Sequence, residues 1–143
     1  MILKQARLTF FIKYGKLAPQ TKEKTMKWED VLKRDDIVGG DLESHEEGDI
    51  YRGPIKSIKL EDGIVSIILN WCAKMPGPGK TGFGEWQLLH HIEPGMFVIS
   101  EILPRELSDN RISITVPGLG LMVIFPKGGS KLDPAKVKGL KTE

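Results

Sequence analysis

Asp41, Glu43 and His45 alternate along the chain, so on an extended strand their side chains share one face. Two carboxylates and an imidazole at that period could ligate zinc or another divalent cation, with Glu46, Glu47 and Asp49 close behind. A charged run beside a turn is usually a solvated face, so the sequence assigns no metal ligand and no cofactor. His90 and His91 are adjacent and face opposite ways on a strand, which prevents joint ligation of one ion. Cys72 is the one cysteine, which excludes an internal disulfide and fits a reducing, cytoplasmic setting. A histidine reaching Cys72 through strand pairing would give a thiol–imidazole pair, but a small buried thiol is the simpler reading of its place in a strand. Gly79-Lys80-Thr81 has the form of the end of a phosphate-binding loop. That loop needs a glycine where Lys74 stands, a run of free N–H groups where Pro76 and Pro78 interrupt, and then a helix. Gly82-Phe83-Gly84 follows instead, and a Pro/Gly-rich connection between two strands is the better reading. No catalytic residue is assigned.

A recognition surface has better support. Tyr51, Arg52, Lys80, Phe83 and Trp86 gather, in sequence or by expected strand pairing, around the segment 74–84. Aromatic rings beside cations on adaptable backbone are favoured at recognition surfaces. The connection also exceeds the roughly 2–5 residues of an ordinary hairpin. The competing account makes Tyr51, Trp71 and Trp86 core residues, since aromatic side chains dominate core energetics.

These residues must be held by short elements. Trp28, Val31 and Leu32 repeat at helical spacing, which predicts a short helix over 27–34 with Trp28 as its core plug. From Ile37 onward the pattern is strands and turns: 37–43, 49–60, 64–73, 85–92, 96–103, 110–116 and 121–125. Glu61-Asp62-Gly63 predicts a tight hairpin turn. In 64–73, Val65, Ile67, Leu69, Trp71 and Ala73 are expected on one face, Ser66, Ile68, Asn70 and Cys72 on the other. The strands 96–103 and 110–116 are expected to pair as a hairpin around Pro104–Asp109.

Short strands at this interval, joined by Gly, Pro and Asp turns, predict a mainly all-β fold: a small antiparallel barrel or sandwich with one N-terminal helix. The run Asp49-Ile50-Tyr51-Arg52-Gly53-Pro54-Ile55 with the following Asp-Gly turn resembles the opening hairpin of SH3-like barrels of the Tudor kind. The resemblance covers about 25 residues and implies a binding module rather than a particular ligand.

With 40% hydrophobic and 28% charged residues, the 143-residue chain is too apolar to be wholly disordered. Its net charge of +2 is segregated. Residues 1–25 hold six Lys/Arg against one acid and 127–143 hold five Lys against two, while 26–126 is acidic. An acidic body disfavours a phosphate-binding groove, because such a groove clusters cations. The chain is therefore expected to comprise a basic arm (1–25), a helix-plus-barrel body (26–126) and a Lys-rich flexible tail (127–143). Lys22-Glu23-Lys24-Thr25 can be encoded by a purine-rich run ahead of Met26, so a start at Met26 and a genuine flexible or strand-forming arm are both readings of the first segment. No apolar run approaches the roughly 20 residues of a membrane span. The expectation is a non-catalytic binding or assembly module of a prokaryotic or viral cytoplasm, with a protein or peptide partner and no membrane partner. Two alternatives stand beside it: a nucleic-acid accessory protein using its basic ends, and a small enzyme with a carboxylate or histidine site.

Overall fold

The structure, a computed structural model, describes residues 24–90, 94–118 and 120–140. The helix forms where the apolar stripe places it, as α1 (Trp28–Lys33), with Glu29 and Asp30 in its first turn and Lys33 in its last. Trp28 is 2% exposed, and its indole N–H donates to the Ile102 carbonyl at 2.8 Å, which fixes α1 across one end of the core. Two turns of helix are not stable alone. Burial of Trp28 and Val31 against the strands supplies what propensity does not. Among the described residues no helix is long and apolar enough to cross a membrane.

The protein is mostly β. The strands are β1 (Lys24–Thr25), β2 (Asp41–Glu46), β3 (Asp49–Glu61), β4 (Ile64–Leu69), β5 (Cys72–Met75) and β6 (Trp86–Leu89). They continue with β7 (Gly95–Ile99), β8 (Arg105–Glu106), β9 (Ile112–Val116), β10 (Gly120–Phe125) and β11 (Val137–Lys138). The main ladder runs β1-β8-β9-β10-β2-β3-β5-β6-β11, and β4 and β7 form a wing attached to β3. The long strand β3 belongs to both parts. Its first half pairs with β2 and β5, and its second half pairs with β4 through the hairpin at Asp62-Gly63, both of which adopt positive φ. The curved path β9-β10-β2-β3-β4-β7 wraps the main core of Leu42, Ile55, Ile67, Val98, Ile114 and Ile124. The sheet does not close into a barrel: β7 pairs only with β4 among the described residues.

The expected strand 64–73 is two strands. Ile55 pairs with Leu69 and Arg52 with Ala73, so three steps on β3 oppose four along the β4–β5 segment. The extra residue at Asn70–Trp71 is a bulge, and it reverses which face each later side chain takes. Val65, Ile67 and Leu69 therefore share the main core with Cys72, whereas Ala73 and Trp71 pack on the opposite side. Gly53 permits the bend: a Cβ there would lie 1.9 Å from the Trp71 carbonyl oxygen, which only glycine avoids.

Two further expectations change. Residues 96–103 and 110–116 do not form a hairpin, because β7 bonds to β4 while β9 takes β8 and β10 as neighbours. The Lys-rich segment does not hang free where it is described. Residues 130–140 lie over the outer face of the main ladder, where Leu132 (8% exposed) and Val137 (4%) pack with Ala73, Trp71, Trp86 and Leu88. β11 then adds in parallel to Trp86 and Gln87 of β6. Apart from Lys24 and Thr25, the N-terminal arm lies outside the described residues, as does His91.

Candidate functional site

The five residues expected to form one recognition surface are divided by strand alternation. Tyr51 faces the main core beside Ser44 and Lys74, and the Lys74 ammonium sits 5.8 Å from its ring centroid. Arg52 points the other way and is 8% exposed. Its Nε donates to Asp41 Oδ2 at 2.9 Å, one terminal nitrogen to Glu43 at 3.2 Å and the other to the Ser130 carbonyl at 2.9 Å. The guanidinium also lies over Phe125, 4.1 Å from the ring centroid. Arg52 is thus a structural fastener for the segment 130–132, and Asp41 completes the fastening by accepting the Leu132 N–H at 2.8 Å. Trp86 is half-buried in the satellite core under that segment.

Lys80 and Phe83 remain in one loop but play different parts. The Lys80 ammonium donates to the Glu47 carbonyl and to Asp49 Oδ1, each at 3.0 Å. Asp49 is 5% exposed, and its Oδ1 also accepts the Gly77 N–H at 2.8 Å. That backbone hydrogen bond, followed by Lys80, holds the Asp49 carboxyl below its usual pKa. Phe83 alone of the five stands free, 60% exposed at the loop tip.

The possible metal ligands do share a face, as their spacing requires. However, Asp41 and Glu43 neutralise Arg52, and His45 Nε2 lies 2.6 Å from Glu43 Oε2. Among the described residues no group of three potential ligands is poised for a metal. Cys72 is buried, and desolvation pushes its thiol pKa up to about 11, so it is a neutral core group at physiological pH. A cleft of about 490 Å³ lies between the turns at 109–111 and 126–130, floored by Phe125. Its Arg111 is held by Asp109 at 2.7 Å.

The feature that sequence reasoning missed is the open seam of the curved sheet. Ser100 N–H donates to Gly63 O and Leu69 N–H to Pro94 O, which sets the phase of the β4–β7 ladder. In an antiparallel pair the bonded positions alternate. Met96 and Val98 therefore bond to β4, whereas Gly95, Phe97 and Ile99 turn their backbone N–H groups to the outer edge. The Ile99 carbonyl is taken by Ile102 N–H at 2.9 Å; those of Gly95 and Phe97 face the edge. On the outer surface Phe97 (66% exposed) and Ile99 (53%) join Ile64 (38%) in an apolar patch.

Across the seam stand β9 and β10. β8 covers β9 only at Ile112 and Ser113, so the stretch toward Val116 has no neighbour on that side among the described residues. A groove of about 180 Å³ runs between the two lips, walled by Met96, Phe97, Val116 and Met122. At its base are Ser44 and Glu46, which follow Leu42 on the inner face of β2. Ser44 is 3% exposed and its hydroxyl has no hydrogen-bond partner. Such a buried orphan is uncommon in a folded protein and calls for an explanation. The signal in the sequence was the run Gly95-Met96-Phe97-Val98-Ile99, a strand carrying apolar residues at successive positions. Comparison with protein-family models, with curated proteins and with solved structures finds no match for this chain.

Proposed function

We propose that the chain is a non-catalytic binding module that takes up an extended segment of a partner protein along β7, and that it works in a prokaryotic or viral cytoplasm. The observation that carries this reading is the contrast between its sheet edges. β1 and β11 are two residues long and carry Lys24 and Lys138, the short charged form by which proteins blunt an edge. β7 is five residues long, apolar, and free of Lys and Pro. An edge of that kind either receives a strand or is an aggregation site. A strand seated in the seam would lie between β7 and the uncovered part of β9. It would complete the small SH3-like barrel whose opening hairpin the sequence resembles.

The test is backbone amide exchange followed by NMR, with a panel of blocked five-residue peptides of the form Thr-Val-X-Val-Thr as probes. In the free protein the Phe97 amide should exchange fast and the Val98 amide slowly, because only the latter bonds to β4. Peptide binding should protect Phe97. Phe97→Pro removes an N–H aimed at the edge while sparing the β4 ladder, so it should keep the fold and abolish the protection that a bound peptide gives the neighbouring edge-facing Ile99 amide. If no peptide protects Phe97, strand addition at β7 is wrong.

A further inference from the structure

We infer that the partner strand carries a lysine pointing into the groove, with apolar residues on either side of it; this rests on strand addition at β7. Side chains of an added strand alternate between the inside of the curve and its outer surface. On the outside they meet Phe97, Ile99 and Ile64, which favours apolar contacts. On the inside the groove is apolar at its walls and polar at its base. Met96 and Met122 can pack against a four-carbon stem, and the base presents one carboxylate and one unpartnered hydroxyl, those of Glu46 and Ser44. Glu46 makes no ion pair among the described residues, although Asp41, Glu43 and Asp49 on the same hairpin are all paired with cations. A lysine ammonium supplies three donors and a positive charge, which satisfies both groups at once.

The same chemistry disfavours a second copy of this chain as the occupant. Its β7 would bring no cation to Glu46, because Gly95–Ile99 contains none.

The experiment uses the full chain and fluorescein-labelled Thr-Val-Lys-Val-Thr, with norleucine and glutamate versions as comparisons. Anisotropy should give at least about tenfold tighter binding for the lysine peptide than for the norleucine one, the size expected for one charge-assisted hydrogen bond. The glutamate peptide should bind weakest. Glu46→Gln should erase the lysine preference, bringing lysine and norleucine peptides to equal affinity, and Ser44→Ala should reduce the preference by a few-fold. Equal binding of lysine and norleucine peptides, with Phe97 still protected from exchange, overturns the lysine assignment and leaves strand addition standing. Absence of Phe97 protection with every peptide overturns both. Protection of Phe97 in the full chain before any peptide is added also overturns the partner assignment. Loss of that protection on dilution would then identify a second copy, and its persistence would identify residues 1–23 of the same molecule.

Discussion

Removing the Asp41 carboxylate should destabilise the protein by about 3–5 kcal/mol, the range for breaking a buried ion pair by truncating one partner. Asp41 is 2% exposed and Arg52 is 8% exposed, so neither charge can recover its hydration in the folded state. In Asp41→Ala the guanidinium keeps Glu43 at 3.2 Å and the Ser130 carbonyl at 2.9 Å, which places the cost toward the lower part of the range. The Leu132 N–H also loses its acceptor, which adds about 1 kcal/mol or more. For a chain of this size each kcal/mol moves the melting temperature by about 3 °C, so a fall of about 10–15 °C is expected. The loss should be local first, because Asp41 and Arg52 together hold residues 130–132 on the sheet. Limited trypsin digestion should cut after Lys131, Lys136 and Lys138 well before the body unfolds, and urea titration followed by tryptophan fluorescence gives the global term. Asp41→Leu combined with Arg52→Met should recover much of the stability, since a buried pair replaced by apolar residues of similar size is often neutral. A loss below about 1 kcal/mol for Asp41→Ala, or an unchanged tryptic pattern, would refute the fastener.

Two further outcomes follow from titratable groups. Cys72 is raised in the folded state to about 11 from an ordinary 9.0, so its contribution is intact below pH 9 and is lost as pH rises toward 11; Cys72→Ala should flatten that part of the stability profile, and native protein at pH 8 should resist iodoacetamide until it is unfolded. Asp49 is lowered, so its contribution is present above the ordinary carboxylate range near pH 4 and disappears as pH falls through the folded value. The protection of the Gly77 amide, taken relative to its intrinsic exchange rate at the same pH, should therefore be high at pH 7 and fall as pH drops through the folded carboxyl value, and Asp49→Ala should remove it at every pH; a protected Gly77 amide in that variant refutes the assignment.

Local pattern in the sequence determined a good deal by itself. The spacing of Trp28, Val31 and Leu32 specified a short docked helix, because only one stripe of it is apolar. Asp62-Gly63 specified its hairpin because both positions need positive φ, which those residues tolerate. The alternation of Asp41, Glu43 and His45 placed them on one face, as found. Strand identity was also legible for 49–60 and 121–125, where turn residues bound the apolar runs on both sides.

What the tertiary structure alone decided is which faces and edges meet. One extra residue at Asn70–Trp71 reverses the facing of everything after it, and a bulge leaves no mark in a period-two pattern that is apolar on both sides. Arg52 read as a surface cation because its partners lie at positions 41, 43 and 130, contacts that exist only after the ladder forms and the C-terminal segment crosses it. That same crossing orders a lysine-rich stretch whose own composition predicts a tail, through burial of just Leu132 and Val137. The open edge of β7 is a property of pairing and not of any residue: its sequence is that of an ordinary strand, and only the choice of β4 over β9 as its neighbour leaves Phe97 and the orphan hydroxyl of Ser44 at an unfilled seam.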